Sequence, residues 1–189
     1  MGRLDGRSVD QFKSHIKFTT EIESRLMECW SLSKNSGCMA YADNGIDNNG
    51  SYVDDSVNTS AVDFVVTTKD GEEKVELKFV PTAGKLTLKL YDLNNYIDQE
   101  ASVLFIFNFG TTTLKVPADL DMDSHWKKIE QSLNSGDLKW ALVGHETLKQ
   151  MLYSSKLQII PYMGRKPGII VTQDRFSEFF TTMDFEYDN

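Results

Sequence analysis

The chain has 189 residues, of which 40% are hydrophobic and 25% are charged, a composition typical of one globular domain. It carries 20 Lys and Arg against 28 Asp and Glu, so a net charge of -8 excludes a uniformly basic protein that coats nucleic acid. Its longest apolar run, residues 101–107, is far shorter than the ~20 residues of a membrane-spanning helix. We expect a single cytoplasmic domain over residues 1–189, without a membrane partner.

The N-terminal segment predicts a long amphipathic helix. Apolar residues recur every three or four positions from Ser8 to about Ser33, the spacing of one buried helix face. Thr19 and Thr20 lie in the middle of this pattern and could split it into two helices. A short strand is expected next, over residues 38–42.

Two segments rich in β-branched and aromatic residues, 60–68 and 73–80, predict a β-hairpin. Between them stands Asp70-Gly71, a strong signal for a two-residue hairpin turn. With these two residues at the centre of the turn, Phe64 pairs with Leu77. One face of the hairpin then carries only apolar residues and must lie on the core: Val62, Phe64, Val66, Val75, Leu77 and Phe79.

The opposite face of this hairpin collects charge. The same register places Asp63 directly across from Lys78, with Glu76 diagonally adjacent and within reach of a shared ion. The simpler interpretation is a surface ion pair between Asp63 and Lys78, worth about 0.2–1 kcal/mol. Aspartate is disfavoured inside a strand of otherwise apolar residues, which favours a metal site.

The rest of the chain alternates helices and strands. Helices are predicted over 86–98, 124–133, 146–153 and 174–181, and strands over 102–109, 112–116, 140–143, 157–163 and 168–172. We expect strand 112–116 to pair with strand 102–109, and the last two strands to flank a basic turn. These elements predict an α/β fold with a central mixed sheet flanked by helices.

Asp63, a gap of twelve residues and then Glu76-Leu77-Lys78 resemble the PD-(D/E)XK nuclease superfamily, as does their position on adjacent strands between two helices. The resemblance covers about residues 15–109, and Val62 stands where the family pattern has a proline. It implies a restriction-endonuclease-like core over about residues 8–116. Residues 117–189 would then be a C-terminal α/β elaboration of the same domain.

The resemblance also implies a metal-dependent nuclease that hydrolyses phosphodiester bonds, with DNA as the expected substrate. Its setting would be repair, recombination, restriction or phage DNA processing, in a prokaryotic or phage-infected host. Asp63, Glu76 and Leu77 would hold Mg²⁺ or Mn²⁺, for which carboxylate oxygens are suitable ligands. Lys78 would orient the attacking water, help to deprotonate it and offset charge on the phosphate.

In this family a glutamate of the preceding helix often completes the site. Glu23 is the best candidate because the apolar residues Ile22 and Leu26 beside it would dock the helix, and Glu21 is the alternative. A competing interpretation is a capping box in which the Glu23 side chain bonds the backbone of Thr20.

The expected partner is nucleic acid, and a bound metal would neutralise carboxylates that otherwise repel phosphates. Lys85, Lys89, Arg165 and Lys166 are candidate phosphate contacts, although the last two could simply be solvated residues of a turn. The expected partners also include a second copy of the chain, in a homodimer, as an alternative to a monomer. The alternatives are a non-catalytic nucleic-acid- or protein-binding module that keeps the nuclease fold, and an enzyme of a different phosphate chemistry.

Overall fold

The computed structural model describes residues 8–44, 62–154, 157–162 and 166–187. Its elements are α1 (Val9–Ser31), β1 (Ala40–Asp43), β2 (Phe64–Thr68), β3 (Gly71–Val80), β4 (Lys85–Lys89), α2 (Leu90–Asp98), β5 (Ser102–Asn108), α3 (Met122–Asn134), β6 (Leu138–Val143), α4 (His145–Tyr153), β7 (Gln158–Tyr162), β8 (Lys166–Thr172), a 3-10 turn (Gln173–Arg175), α5 (Phe176–Phe179) and β9 (Met183–Asp184). No helix within these described ranges is both long and apolar enough to cross a membrane.

A six-stranded mixed sheet forms the centre of the fold, in the order β1-β2-β3-β5-β6-β9. The β3–β5 pair is parallel, and the other pairs of this sheet are antiparallel. Parallel neighbours need a crossover connection, which β4 and α2 supply here. β6 and β9, from the predicted C-terminal elaboration, extend the same sheet. The predicted α/β class with a central mixed sheet flanked by helices is confirmed.

Two apolar clusters cover the two faces of this sheet, and β5 contributes to both. Leu104 and Ile106 pack in the cluster that contains the buried face of α1, whereas Phe105 and Phe107 pack in the cluster that contains α2, α4 and the second sheet. Every residue of β5 is therefore buried, as expected for a strand covered on both faces.

The hairpin register differs from the predicted one by two residues. Thr68 pairs with Gly71, so that Lys69 and Asp70 form the turn, and Phe64 pairs with Val75 instead of Leu77. The Thr68 hydroxyl explains the shift, because it accepts a hydrogen bond from the Asp70 N–H at 3.2 Å and donates one to the Gly71 carbonyl at 3.2 Å. Gly71 has a φ of +131°, a conformation that favours glycine.

A shift of two residues leaves each side chain on its own face of the hairpin. Five of the six predicted apolar residues therefore do pack in the cluster under α1, namely Phe64, Val66, Val75, Leu77 and Phe79. Val62 was placed wrongly: it packs in the cluster on the other face, because it precedes β2 and the chain bends at Asp63.

Two further predictions are wrong. Residues 85–89 form β4 and not the start of a helix, because Leu86 and Leu88 alternate with more exposed neighbours and pair with β8 in a second, three-stranded sheet of order β4-β8-β7. Residues 112–116 are not a strand, since β3 and β6 already occupy both edges of β5. Leu114 is buried instead, with its N–H donating to the Pro81 carbonyl at 2.9 Å.

Other boundaries need smaller corrections. The first helix is continuous, because the Thr19 hydroxyl donates to carbonyls of its own preceding turn and does not break it. The helix predicted over 174–181 is a 3-10 turn followed by the short α5. The helices predicted over 124–133 and 146–153 and the strands predicted over 140–143 and 168–172 are confirmed within longer elements.

Candidate active site

Glu76 and Lys78 lie two residues apart on β3, so both side chains leave the same face of the sheet. Glu76 is only 7% exposed, and Lys78 is about one-third exposed. The Lys78 ammonium forms an ion pair with Glu76 Oε1. The Tyr96 hydroxyl, from α2, donates to the same oxygen at 2.8 Å. This carboxylate is therefore held by two donors at once.

Asp63 lies at the bend just before β2 and reaches across to the neighbouring strand. Its Oδ2 accepts a hydrogen bond from the Leu77 N–H at 3.0 Å. The observed register, continued by one step from Phe64, places Asp63 level with Glu76, so the prediction that it lies directly across from Lys78 is wrong. Directly opposite positions lie closer together than diagonal ones, so in this register the Asp63 and Glu76 carboxyls are nearer to each other than predicted.

α1 brings a third carboxyl, that of Glu23, within electrostatic range of this group. Its charge interacts with those of Asp63, Lys78 and Glu76, and its side chain is partly buried. Glu21 is exposed and forms an ion pair with Arg25 at 2.7 Å, so it faces elsewhere.

The capping interpretation of Glu23 is wrong, because Thr20 lies in the middle of the continuous α1. The capping box of this helix lies twelve residues earlier. There the Ser8 hydroxyl accepts from the Gln11 N–H at 3.1 Å, and the Gln11 side chain accepts from the Ser8 N–H at 2.9 Å.

The crowding of these groups changes their protonation. Burial first, and then the negative charge of Asp63, raise the pKa of Glu23 to about 8. Burial and then the charge of Glu76 raise the pKa of Asp63 to about 7. Burial opposes the charged form of Lys78, but the surrounding carboxylates, Glu76 above all, raise its pKa well above the ordinary value. At neutral pH the patch therefore combines a firmly protonated lysine with carboxyls that retain protons.

A hard divalent cation matches this donor set. Within the described part of the chain, no three His, Cys, Asp or Glu side chains already stand close enough together to hold a metal ion. However, burial first and then repulsion between the carboxyls raise the pKa of Glu23 and Asp63, so the single positive charge of Lys78 does not offset all of the negative charge. Binding of a cation would require these carboxyls to release their protons. It would also require the Lys78 ammonium to move away from the Glu76 carboxylate.

The Leu77 side chain is fully buried, so only its main chain can take part in ligand binding. The main-chain N–H of Leu77 is already bonded to Asp63. Its carbonyl oxygen is an acceptor of the kind that hard cations bind.

Two of the predicted phosphate contacts, Lys85 and Lys89, lie on another part of the fold. Lys85 and Lys89 stand on one face of β4, in the second sheet, and Lys89 lies 3.4 Å from Asp92. Lys85 is exposed. Arg165 and the side chain of Lys166 fall outside the described residues.

Tyr96 is the residue of this site that sequence analysis missed. It is 5% exposed and belongs to the apolar cluster that covers this face of the sheet. The only available signal was its spacing of three residues from Leu93 on the buried side of α2. A buried tyrosine needs a hydrogen-bond partner, but the sequence does not say which one.

A small cavity of about 110 Å³ borders Glu23 on the side of α3. Its wall also contains His125, which is only 3% exposed, and burial lowers the pKa of this imidazole. Glu23 therefore lies between the carboxyl cluster and a pocket lined by a neutral histidine.

No protein-family model matches the chain, and no curated protein matches it. Among solved structures, the chain is similar to Hjc, a Holliday junction resolvase from the archaeal hyperthermophile Archaeoglobus fulgidus, with 9% sequence identity and a TM-score of 0.43. The alignment covers 92% of this chain and 99% of the resolvase. At this level of similarity only the side chains of the site can indicate a function.

Proposed function

We propose that this protein is a metal-dependent nuclease of the PD-(D/E)XK type that hydrolyses phosphodiester bonds in DNA. The observation that carries the proposal is an acidic cluster around the Glu76–Lys78 pair of β3. Glu23 of α1 and Asp63, which lies just before β2, are close enough for their charges to interact with this pair. A plain surface ion pair needs neither Glu23 nor burial. Two partly buried acidic groups with raised pKa values beside a lysine destabilise the fold, and such clusters mark functional sites.

Each residue has a role suited to its position. Asp63, Glu76 and the main chain of Leu77 would hold Mg²⁺ or Mn²⁺, with Glu23 completing the acidic set. The metal, when bound, supplies Lewis-acid stabilisation of charge on the phosphate. Lys78 keeps its positive charge at neutral pH because the carboxylates raise its pKa. Its ammonium can therefore orient the attacking water and offset charge that develops on the phosphate.

The polymer proposed as substrate is DNA, although the protein is acidic overall. Neutralisation of the carboxyl cluster by a divalent ion would remove the local repulsion toward phosphates. Lys85, Lys89, Arg165 and Lys166 are proposed as contacts to the DNA backbone away from the cut. These contacts predict cleavage that weakens as salt concentration rises.

The test is single-turnover cleavage of labelled single-stranded, duplex, flap and four-way DNA with Mg²⁺, Mn²⁺ or EDTA. We expect metal-dependent cleavage of at least one substrate, and its loss in Asp63→Asn. Asp184→Asn is the matched control, because Asp184 is an exposed aspartate that forms an ion pair with Lys139. It lies on β9, the edge strand at the other end of the sheet from β2. Absence of metal binding and of cleavage across the whole panel would overturn the proposal.

A second candidate is a nucleic-acid- or protein-binding module that keeps the nuclease fold without catalysis. The observation that favours it is that Glu76 already has two partners without a metal. Lys78 neutralises its charge, and the Tyr96 hydroxyl donates a hydrogen bond to it. The two candidates differ in one result. The binding module retains DNA at low salt with EDTA and never cuts it, whereas the nuclease cuts when Mn²⁺ is added.

A further inference from the structure

We infer that Tyr96 is a positioning residue that fixes the Glu76 carboxylate for metal binding and keeps the Lys78 ammonium beside it. The inference rests on the proposed function and extends it to a residue of α2, outside the hairpin and α1. Tyr96 touches both members of the Glu76–Lys78 pair: its hydroxyl donates to Glu76 Oε1 at 2.8 Å, and its ring centroid lies 5.7 Å from Lys78 Nζ.

The position of Tyr96 is rigid for reasons independent of the site. Its side chain is 5% exposed within an apolar cluster, and α2 follows β4 without an intervening loop. The Tyr96 carbonyl accepts a hydrogen bond from the Ala101 N–H at 2.9 Å, which ties the end of α2 to the start of β5. The hydroxyl is therefore presented to Glu76 by packed elements and not by a loop.

The two donors on Glu76 Oε1 have different consequences for metal binding. The Lys78 ammonium carries a positive charge, so it competes with a cation for the carboxylate. The Tyr96 hydroxyl is neutral, because a tyrosine ionises only near pH ~10, so it donates a hydrogen bond without competing for the carboxylate as a charge. It can stay on the carboxylate while a cation is bound, and so restrict the rotation of Glu76 when Lys78 withdraws.

The ring has a separate effect on Lys78. An ammonium near the face of an aromatic ring is attracted to it, so the ring offers Lys78 a second favourable contact when the carboxylate is shared with a cation. This contact would keep the ammonium close to the water and phosphate. Tyr96→Phe therefore separates the two effects, because it removes the hydroxyl and keeps the ring.

The decisive experiment compares wild type with Tyr96→Phe, and uses Tyr153→Phe as the matched control. Tyr153 is 82% exposed, so this control loses a hydroxyl that has no place in the site. Mn²⁺ affinity is measured by calorimetry without DNA, and kcat and KM for DNA are measured at saturating Mn²⁺. Thermal unfolding in EDTA shows whether each variant folds.

We expect the Mn²⁺ affinity and the kcat of Tyr96→Phe each to fall about 10- to 100-fold, as is typical when a group that orients a metal ligand is removed. KM for DNA should stay within about twofold, because a buried hydroxyl does not contact DNA. The unfolding temperature should fall by only a few degrees, since one hydrogen bond is lost. A purely structural role would lower the unfolding temperature and leave Mn²⁺ affinity unchanged.

The outcomes separate this inference from the proposed function. Wild-type cleavage with unchanged Mn²⁺ affinity in folded Tyr96→Phe overturns the inference and leaves the nuclease proposal standing. If wild type binds Mn²⁺ but cuts no DNA, the nuclease proposal is overturned. The Mn²⁺ affinities of wild type and Tyr96→Phe then still decide the role of Tyr96. No Mn²⁺ binding by wild type overturns both.

Discussion

The Asp63 carboxylate accepts a hydrogen bond from the main-chain N–H of Leu77 at 3.0 Å. This contact joins the residue before β2 to the strand position between Glu76 and Lys78. It fixes one oxygen of Asp63 by the backbone, which is the least mobile donor available. The acidic residue is therefore oriented by the hairpin itself, before any ligand binds.

This contact predicts different results for two substitutions of Asp63. Asp63→Asn keeps an acceptor for the Leu77 N–H, so the protein should fold, but it should lose measurable Mg²⁺ and Mn²⁺ binding because a ligand charge is removed. Asp63→Ala leaves that N–H without its partner and should cost about 1–3 kcal/mol of unfolding free energy as well. Urea unfolding in EDTA, alongside calorimetry, checks both. Equal stability of the two variants would contradict the role of this hydrogen bond.

Lys78→Ala should separate metal binding from catalysis. With the competing ammonium gone, Mn²⁺ affinity should be equal to that of wild type or tighter, while single-turnover cleavage should fall about 100-fold or more. Lys139→Ala is the control, because Lys139 forms an ion pair with Asp184 at the opposite side of the sheet. Cleavage by Lys78→Ala at the wild-type rate would rule out the assigned role.

Glu23 and Glu21 give a matched comparison on one helix. Glu23→Gln removes a charge from the acidic cluster and should weaken Mn²⁺ binding and cleavage by about tenfold or more. Glu21→Gln removes only an exposed i,i+4 partner of Arg25 and should leave both unchanged, with a stability loss below about 0.5 kcal/mol. If the two variants behave alike in calorimetry, Glu23 does not belong to the metal site.

The raised pKa values predict a pH dependence of stability without metal. Glu23, with a pKa of about 8, and Asp63, with a pKa of about 7, bind protons more tightly in the folded protein than in the unfolded chain. Their contribution to stability is therefore complete below about pH 4 and is lost as pH rises through 7 to 8. Thermal unfolding in EDTA at pH 6 and pH 8.5 measures this loss.

The variants Asp63→Asn and Glu23→Gln should each flatten the fall in stability between these two pH values. Adding Mn²⁺ should restore stability most at the higher pH, because the metal competes with the protons there. Metal-free wild type whose stability does not fall from pH 6 to pH 8.5, or variants whose stability falls as steeply as that of wild type, would contradict the assignment.

Periodicity in the sequence was enough to predict which faces of the hairpin are buried, because alternation of apolar residues fixes the face of a strand. It did not fix the register, since Asp70-Gly71 is a strong turn signal and only the Thr68 hydroxyl favours a turn one residue earlier. The spacing of Leu86, Leu90 and Leu93 also suits a helix, so strand β4 became visible only through its partner β8.

The candidate site shows the same division between local and long-range information. Glu76 and Lys78 could be placed on one face from their spacing alone. The sequence left two interpretations of Glu23, and the continuous α1 decides between them. Tyr96 could not be predicted as a neighbour of Glu76, because that contact depends on how α2 packs against the sheet.

Metal binding between Asp63 and Glu76 is tested most directly by the structure of crystals soaked in Mn²⁺, with data collected to show anomalous scattering. We expect one strong anomalous peak between Asp63 and Glu76. The Lys78 ammonium should be displaced from Glu76, and the Tyr96 hydroxyl should still donate to it. A site with no peak and with Lys78 still paired to Glu76 at millimolar Mn²⁺ would contradict the metal-dependent nuclease.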